Sequence, residues 1–183
     1  MPKFYTATGD DGYTGLLKEG RVPKFDPILE AVGALDEANA ALGLARSVCV
    51  GDQSGEILLA VQRDLYHLMS EVSASPDHAS RFYHIDSDRV AWLEAIIDKL
   101  NTQVKIPGEF IVPGDSNSGA VLDLARTIIR RAERRLVLLA HQHIVENREL
   151  LRYLNRLSSL CFVLELYENQ SNGNPMPTLA SGS

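Results

Sequence analysis

Five arginines fall within ten residues, in the stretch Arg126-Thr127-Ile128-Ile129-Arg130-Arg131-Ala132-Glu133-Arg134-Arg135. Arg126, Arg130 and Arg134 recur at steps of four, which lines them along one face of a helix. Arg131 and Arg135 form a neighbouring stripe. A guanidinium stays charged at physiological pH and meets phosphate oxygens as a planar fork, so such a row suits a polyphosphate such as that of ATP. Within the stretch only Glu133 carries an opposite charge, with Asp123 just before it. The residues alone leave two readings open, a solvated charged face or an anion site. The chain as a whole is acidic, with 18 Lys plus Arg against 24 Asp plus Glu and a net charge of -6. That balance argues against a general nucleic-acid surface and makes the cluster a local exception.

Other residues could join that chemistry. The N-terminal run Thr6-Ala7-Thr8-Gly9-Asp10-Asp11-Gly12-Tyr13-Thr14-Gly15 offers hydroxyls, and glycines that let backbone N–H groups approach an anion. It is not a Walker A loop, because no Gly-Lys-Ser/Thr follows. Lys24 could add a point charge. Asp36, Glu37 and Asn39 interrupt an apolar stripe. They read either as an exposed face or, for Asp36, as a partner for an arginine of the row. Asn155 is either a surface amide or a ligand contact, and Phe110 either a core plug or a cavity wall. There is no Glu-x-x-His pair for a di-iron bundle, no Gly-x-Ser-x-Gly and no Gly-x-Gly-x-x-Gly. His141 and His143 would diverge on a helix. Cys49 and Cys161 have no metal or redox spacing and read as free thiols in a reducing compartment. No leader and no apolar run near the ~20 residues of a membrane span is evident, so a cytoplasmic location is expected.

The elements that must carry these residues are helices. With 183 residues, one domain with a sizeable core is expected. Residues 1–26 read as an extended Gly-rich arm. Asp26-Pro27 supplies an N-cap and a first-turn proline for a helix over about 27–47. Leu58, Val61, Leu65, Leu68 and Val72 alternate steps of three and four, the seam of a helix over about 56–73. Ser75-Pro76 is expected to end it. A third helix starts at Asp86 or Ser87, with Val90, Leu93, Ile97 and Leu100 inward. Pro107, Gly108, Pro113 and Gly114 break the chain before a fourth helix, about 118–143, capped by Ser116, Asn117 or Ser118. A fifth, about 147–169, turns Leu154, Leu157, Cys161 and Leu164 inward. The tail 170–183 is rich in Gly, Pro, Ser and Asn and is expected to be disordered. The fold class is all-α, a five-helix up-and-down bundle with no convincing strand.

In this order the segments resemble the PduO-type ATP:cob(I)alamin adenosyltransferases. The matching blocks are Thr-x-Thr-Gly-Asp-x-Gly at 6–12, Arg21-Val22-Pro23-Lys24-x-Asp26, and Glu30-Ala31-x-Gly33-x-x-Asp36-Glu37-x-Asn39. They continue with Phe110-x-x-Pro113-Gly114, Ala125-Arg126-Thr127-x-x-Arg130-Arg131-Ala132-Glu133-Arg134 and Tyr153-Leu154-Asn155-Arg156-Leu157-Ser158. The resemblance covers about residues 3–168 and implies a ferritin-like bundle assembled as a homotrimer with active sites between subunits. It implies that Thr6, Ala7, Thr8, Gly9, Thr14, Gly15, Lys24, Arg130, Arg131, Ala132, Glu133, Arg134 and Asn155 bind ATP. Asp36 and Arg126 would form an intersubunit salt bridge, and Phe110 would sit by the corrin and help displace the lower cobalt ligand. The implied cofactors are ATP and Mg2+ with cobalamin as substrate. No metal ligand is assigned, and a corrinoid reductase would be a partner.

The sequence departs from the family pattern at four places. Asp115 stands where a second glycine is usual, Asp123 for a histidine, Ser159 for an aspartate and Ile28 for a frequent arginine. The nucleotide side is nearly intact, and several of the changes fall where the corrin would lie. They support a second reading, a relative that binds ATP or a corrinoid as a sensor or carrier.

Overall fold

The computed structural model describes residues 5–74 and 80–181. Among them five α-helices form: α1 (Pro27–Val48), α2 (Ser54–Ser73), α3 (Ser87–Asn101), α4 (Asn117–His141) and α5 (Glu149–Ser171). Their starts follow local chemistry. The Asp26 carboxylate accepts from the Ile28 amide at 2.8 Å, Asp86 from Arg89 at 2.8 Å and Ser116 Oγ from Gly119 at 2.9 Å. Each cap satisfies an N–H that the first helical turn leaves without a partner. The Ser75-Pro76 stop lies outside the described residues, since α2 has already ended at Ser73.

The cross-links set the topology. Glu37 and Glu30 of α1 meet Arg131 and Arg135 of α4, so those helices run antiparallel. Ser54, Asp64 and Glu71 of α2 meet Glu168, Tyr153 and Asn147 in or just before α5, again antiparallel. α3 lies over the α2–α5 seam, with Arg89 bonded to Asp64 at 2.8 Å and Glu94 to Arg156 at 2.8 Å. The seams foreseen on α2 and α5 are the core: Leu58, Val61, Leu65, Leu68, Leu154, Leu157, Cys161 and Leu164 are wholly buried. Close approach of α4 to α5 depends on Gly119, where a Cβ would fall 2.2 Å from Asn169 Oδ1.

Two expectations need correcting. The arm is not merely extended: Tyr13–Leu16 (β1) and Lys18–Pro23 (β2) pair as an antiparallel hairpin with an irregularity between Gly15 and Leu16. A strand this short and polar carries no periodic signal. The described part of the tail, residues 170–181, is also ordered. The Val112 amide donates to Thr178 O at 2.8 Å and the Ala180 amide to Phe110 O at 2.8 Å, with Ile111 and Leu179 bridged antiparallel. Composition misled there, because a segment without a core of its own can order on another segment.

Glu165 of α5 is wholly buried, and neither carboxylate oxygen has a hydrogen-bond partner among the described residues. Burial, reinforced by Asp123, pushes its pKa from 4.5 to about 7, with Arg126 opposing. The folded state therefore holds a proton that the unfolded chain releases above pH 4.5. Its stability contribution is complete below that pH and is lost as pH rises through about 7. Glu165→Gln should match the parent near pH 5 and exceed it at pH 8 by on the order of 2–3 kcal/mol in urea unfolding. An equal difference at both pH values would contradict this.

Candidate functional site

A cavity of about 620 Å3 lies between the 107–113 loop, α4 and α5. Phe110, Ile111, Phe162 and Val163 make its apolar side; Asp123, Arg126 and Arg130 make its charged side. A volume of this order suits a sizeable organic ligand oriented by a few polar groups. Phe110 is 89% exposed, so it is not a core plug. The structure thus brings together three of the four residues expected to act in chemistry: Phe110, Arg126 and Arg130. Asp36 is elsewhere. It lines a separate depression of about 410 Å3 with Leu17, Val32, Tyr66 and Met69, on the α1–α2 face.

The arginine row divides by its partners. Arg126 Nε bonds Asp123 Oδ1 at 2.7 Å within its own helix. Arg131 pairs with Glu37, and Arg135 with Glu30 at 3.5 Å. The under-neutralised row is therefore partly balanced from α1. These pairs are about half exposed, and such pairs contribute ~0–1 kcal/mol, so an anion could displace them. Arg130 and Arg134 have no carboxylate partner among the described residues; Arg134 donates to the Arg130 carbonyl at 3.1 Å. Glu133 accepts from Asn155 Nδ2 at 3.1 Å, which ties the two expected ligand blocks together. Ala132 is wholly buried, so its side chain serves the α4 core contact rather than a ligand.

The arm is ordered by a residue to which the sequence reading gave no role. Arg21 clamps Asp11 through two bonds of 2.8 and 2.7 Å, and donates to the carbonyls of Tyr13, at 2.9 Å, and Thr8. The guanidinium holds the Asp11 carboxyl below its ordinary pKa. The only signal was the place of Arg21 in the Arg21-Val22-Pro23-Lys24 block. Around this clamp, Thr6 and Thr8 share a 2.8 Å hydroxyl bond. Lys24 Nζ lies against Gly9, 3.1 Å from where a Cβ would be. Ala7 has φ 58°, a conformation that costs a non-glycine residue ~1–2 kcal/mol and that turns successive amides toward one side. Thr14 and Gly15 lie on β1. The arm joins the body where Leu17 N–H donates to Ser73 O at 3.1 Å. Among the described residues no hydrogen bond or ion pair links residues 5–24 to α4.

The four departures occupy three kinds of place. Asp123 and Ser159 line the cavity. Ile28 is a core residue, 7% exposed, and has no part in the cavity. Asp115 lies beside the cavity and holds the tail: its carboxylate accepts from the Thr178 amide at 2.9 Å and hydroxyl at 2.7 Å.

This combination of bundle, cavity and arm has close counterparts. Residues 4–168 match the family described as cobalamin adenosyltransferase. The corrinoid adenosyltransferase PduO of Salmonella typhimurium is 39% identical over 91% of this chain and 49% of its own length. The chain thus spans about half the length of that relative and of its Citrobacter freundii counterpart. The corrinoid adenosyltransferase of Bacillus subtilis is 35% identical over 93% of this chain and 89% of its own. Among solved structures, a phenylalanine-to-histidine variant of the PduO-type ATP:corrinoid adenosyltransferase of Lactobacillus reuteri, complexed with cobalamin and ATP, superposes with a TM-score of 0.88. It is 30% identical and covers 97% of this chain and 96% of its own. The chain belongs to the cobalamin adenosyltransferase family.

The Arg21 clamp yields a test. Arg21→Ala should speed amide exchange across residues 6–24 while leaving global stability nearly unchanged, because the pair is exposed. Unchanged exchange would mean that the hairpin holds the arm without the clamp.

Proposed function

We infer that this protein transfers the 5′-deoxyadenosyl group of ATP to the cobalt of cob(I)alamin, forming adenosylcobalamin and triphosphate. The observation that carries this reading is the cavity that sets exposed Phe110 against Arg126 and Arg130, in a chain of this family. Cob(I)alamin is the nucleophile: the Co–C bond forms at C5′ as the C5′–O bond breaks, and the electron pair leaves on the triphosphate. No Ser, Cys or His of the chain has to attack. The protein must orient two ligands and meet the charge developing on the leaving oxygens, which is the task of Arg130 and Arg134. Phe110 shapes a dry apolar face for the corrin and helps displace the lower cobalt ligand.

Arm and row belong to one site only if two subunits meet. Within one subunit they are not joined, and Asp36 lies on a face away from Arg126. The proposal is a homotrimer in which Thr6, Ala7, Thr8, Gly9, Thr14, Gly15 and Lys24 of one copy close over Arg130, Arg131, Glu133, Arg134 and Asn155 of the next. Asp36 would then compete with Asp123 for Arg126. Among the described residues no group of three or more His, Cys, Asp or Glu side chains could hold a metal. Phosphate oxygens and the water around them would supply most of the Mg2+ ligands. The reaction is placed in the cytoplasm, with a reductase supplying cob(I)alamin. No helix of the described residues is long and apolar enough to cross a membrane.

The Asp123–Arg126 bond favours one rival reading, an ATP or corrinoid binder without transfer, because it occupies the arginine that Asp36 would need. The deciding assay mixes protein, ATP, Mg2+ and reduced cobalamin and follows the corrinoid spectrum. Formation of adenosylcobalamin is expected; tight ATP binding with no product would favour the rival. Arg130→Ala should lower kcat/KM for ATP by roughly 100-fold or more with little change in melting temperature. A normal rate would remove Arg130 from its role. Phe110→Ala should leave ATP affinity intact and slow adenosylation.

A further inference from the structure

Phe110 stands on a loop with almost nothing of its own to hold it. Residues 104–114 contain Pro107, Gly108, Pro113 and Gly114 and form no helix. Among the described residues, the hydrogen bonds made by this stretch all go to the C-terminal segment: Val112 N–H to Thr178 O and Ala180 N–H to Phe110 O, both at 2.8 Å. The second bond is made to the backbone of Phe110 itself. The tail in turn is anchored by Asp115. Its carboxylate takes both the amide and the hydroxyl of Thr178, and its carbonyl accepts from Asn174 Nδ2 at 2.7 Å. Beneath this crossing Ile106, Pro107, Met176, Pro177 and Leu179 wall a second cavity of about 320 Å3. The far end is fixed to the helices: Ser116 Oγ donates to Asn169 Oδ1 at 2.6 Å, and Asn174 N–H donates to Asn169 O at 2.8 Å.

We propose that Asp115 and Thr178 are positioning residues for Phe110, acting through a C-terminal strap, residues 174–180, that clamps the loop against the corrin cavity. The inference rests on the reading of Phe110 under Proposed function. It also reinterprets Asp115. This departure from the family pattern replaces a residue with no side chain by a charged anchor, and its consequence is a fixed loop rather than a corrin contact. A carboxylate bonding an amide and a hydroxyl of one residue sets both position and register of the strap. The two backbone bonds that follow then set the direction in which the Phe110 ring enters the cavity. ATP, bound on the arginine row and the arm, lies outside this device.

Two variants and a conservative rescue test it in the full-length protein. Asp115→Ala should raise the exchange rates of the Val112 and Ala180 amides roughly tenfold or more, and Thr178→Val about fivefold. Thr178→Ser, which keeps the hydroxyl, should stay close to the parent. In steady-state assays the first two should raise KM for the corrinoid or lower kcat and leave KM for ATP unchanged. With cob(II)alamin and ATP bound, they should also reduce the spectroscopic fraction of four-coordinate cobalt. Thr178→Val keeps the proposal testable if Asp115→Ala perturbs the start of α4. Unchanged exchange in both variants would overturn the strap. Faster exchange with unaltered corrinoid parameters, while Phe110→Ala still slows adenosylation, would overturn the positioning role. If Phe110→Ala has no effect, or the parent makes no adenosylcobalamin, the failure lies with the proposed function, and the exchange rates still decide whether the strap holds the loop.

Discussion

The architecture depends on α5 being enclosed on nearly every side, so that its polar side chains must find partners inside the protein. A buried polar group without a partner costs ~1–3 kcal/mol, and a charged one more. Glu168 accepts from the Val50 and Gly51 amides at 2.9 and 3.0 Å and from Ser54 Oγ, which pins the α1–α2 turn. Burial alone would raise its carboxyl; these hydrogen bonds outweigh burial and hold it below the ordinary value. Tyr153 OH donates to buried Asp64, which also accepts from Arg89, so one carboxylate joins α2, α3 and α5. Asn169 ties in the cap of α4 through Ser116. These bonds tie α5 to the α1–α2 turn, to α2 and α3, and to the start of α4. Glu165 is the exception: it has no hydrogen-bond partner among the described residues, and burial raises its pKa to about 7 instead.

The cavity sits where that scaffold leaves an opening, with α4 and α5 as rigid walls and the 107–113 loop as the third side. A rigid cationic wall and a loop-borne aromatic answer to different needs. In the proposed reading, charge stabilisation gains from groups already in place before charge develops, and a helix holds Arg126 and Arg130 in that way. An aromatic proposed to meet a large planar ligand has to project from the scaffold, and a loop permits that only if something else restrains it. The ordered tail supplies that restraint. The arm lies apart from both: it is held by Arg21 and Asp11 and, among the described residues, by the Leu17 amide on the Ser73 carbonyl at the end of α2.

Much of this could be read from residues. Period and caps located all five helices, because Asp26, Asp86 and Ser116 act within three residues of the amides they serve. The cavity residues Phe110, Arg126 and Arg130 were legible through their blocks. What was missed shares a physical cause. The hairpin is too short for alternation to register, and the tail orders through contacts with a loop some sixty residues away, as in Thr178 to Asp115. Ala132, beside the row of arginines, turns its side chain into the core, as the helical period allows.

By itself, then, the sequence determined the helices, the faces they bury and the chemistry of a row of fixed positive charges, since these follow from neighbours within one or two turns. Only the tertiary structure decided which arginines remain without a carboxylate partner, because Glu30 and Glu37 approach from a different helix. It also decided that Asp36 and Arg126 line different cavities of the chain, and that Asp115 serves the tail. Each of these is a contact between residues far apart in the chain. Their meeting depends on the helix packing and on the strain and polar satisfaction of the whole bundle, which no local pattern encodes.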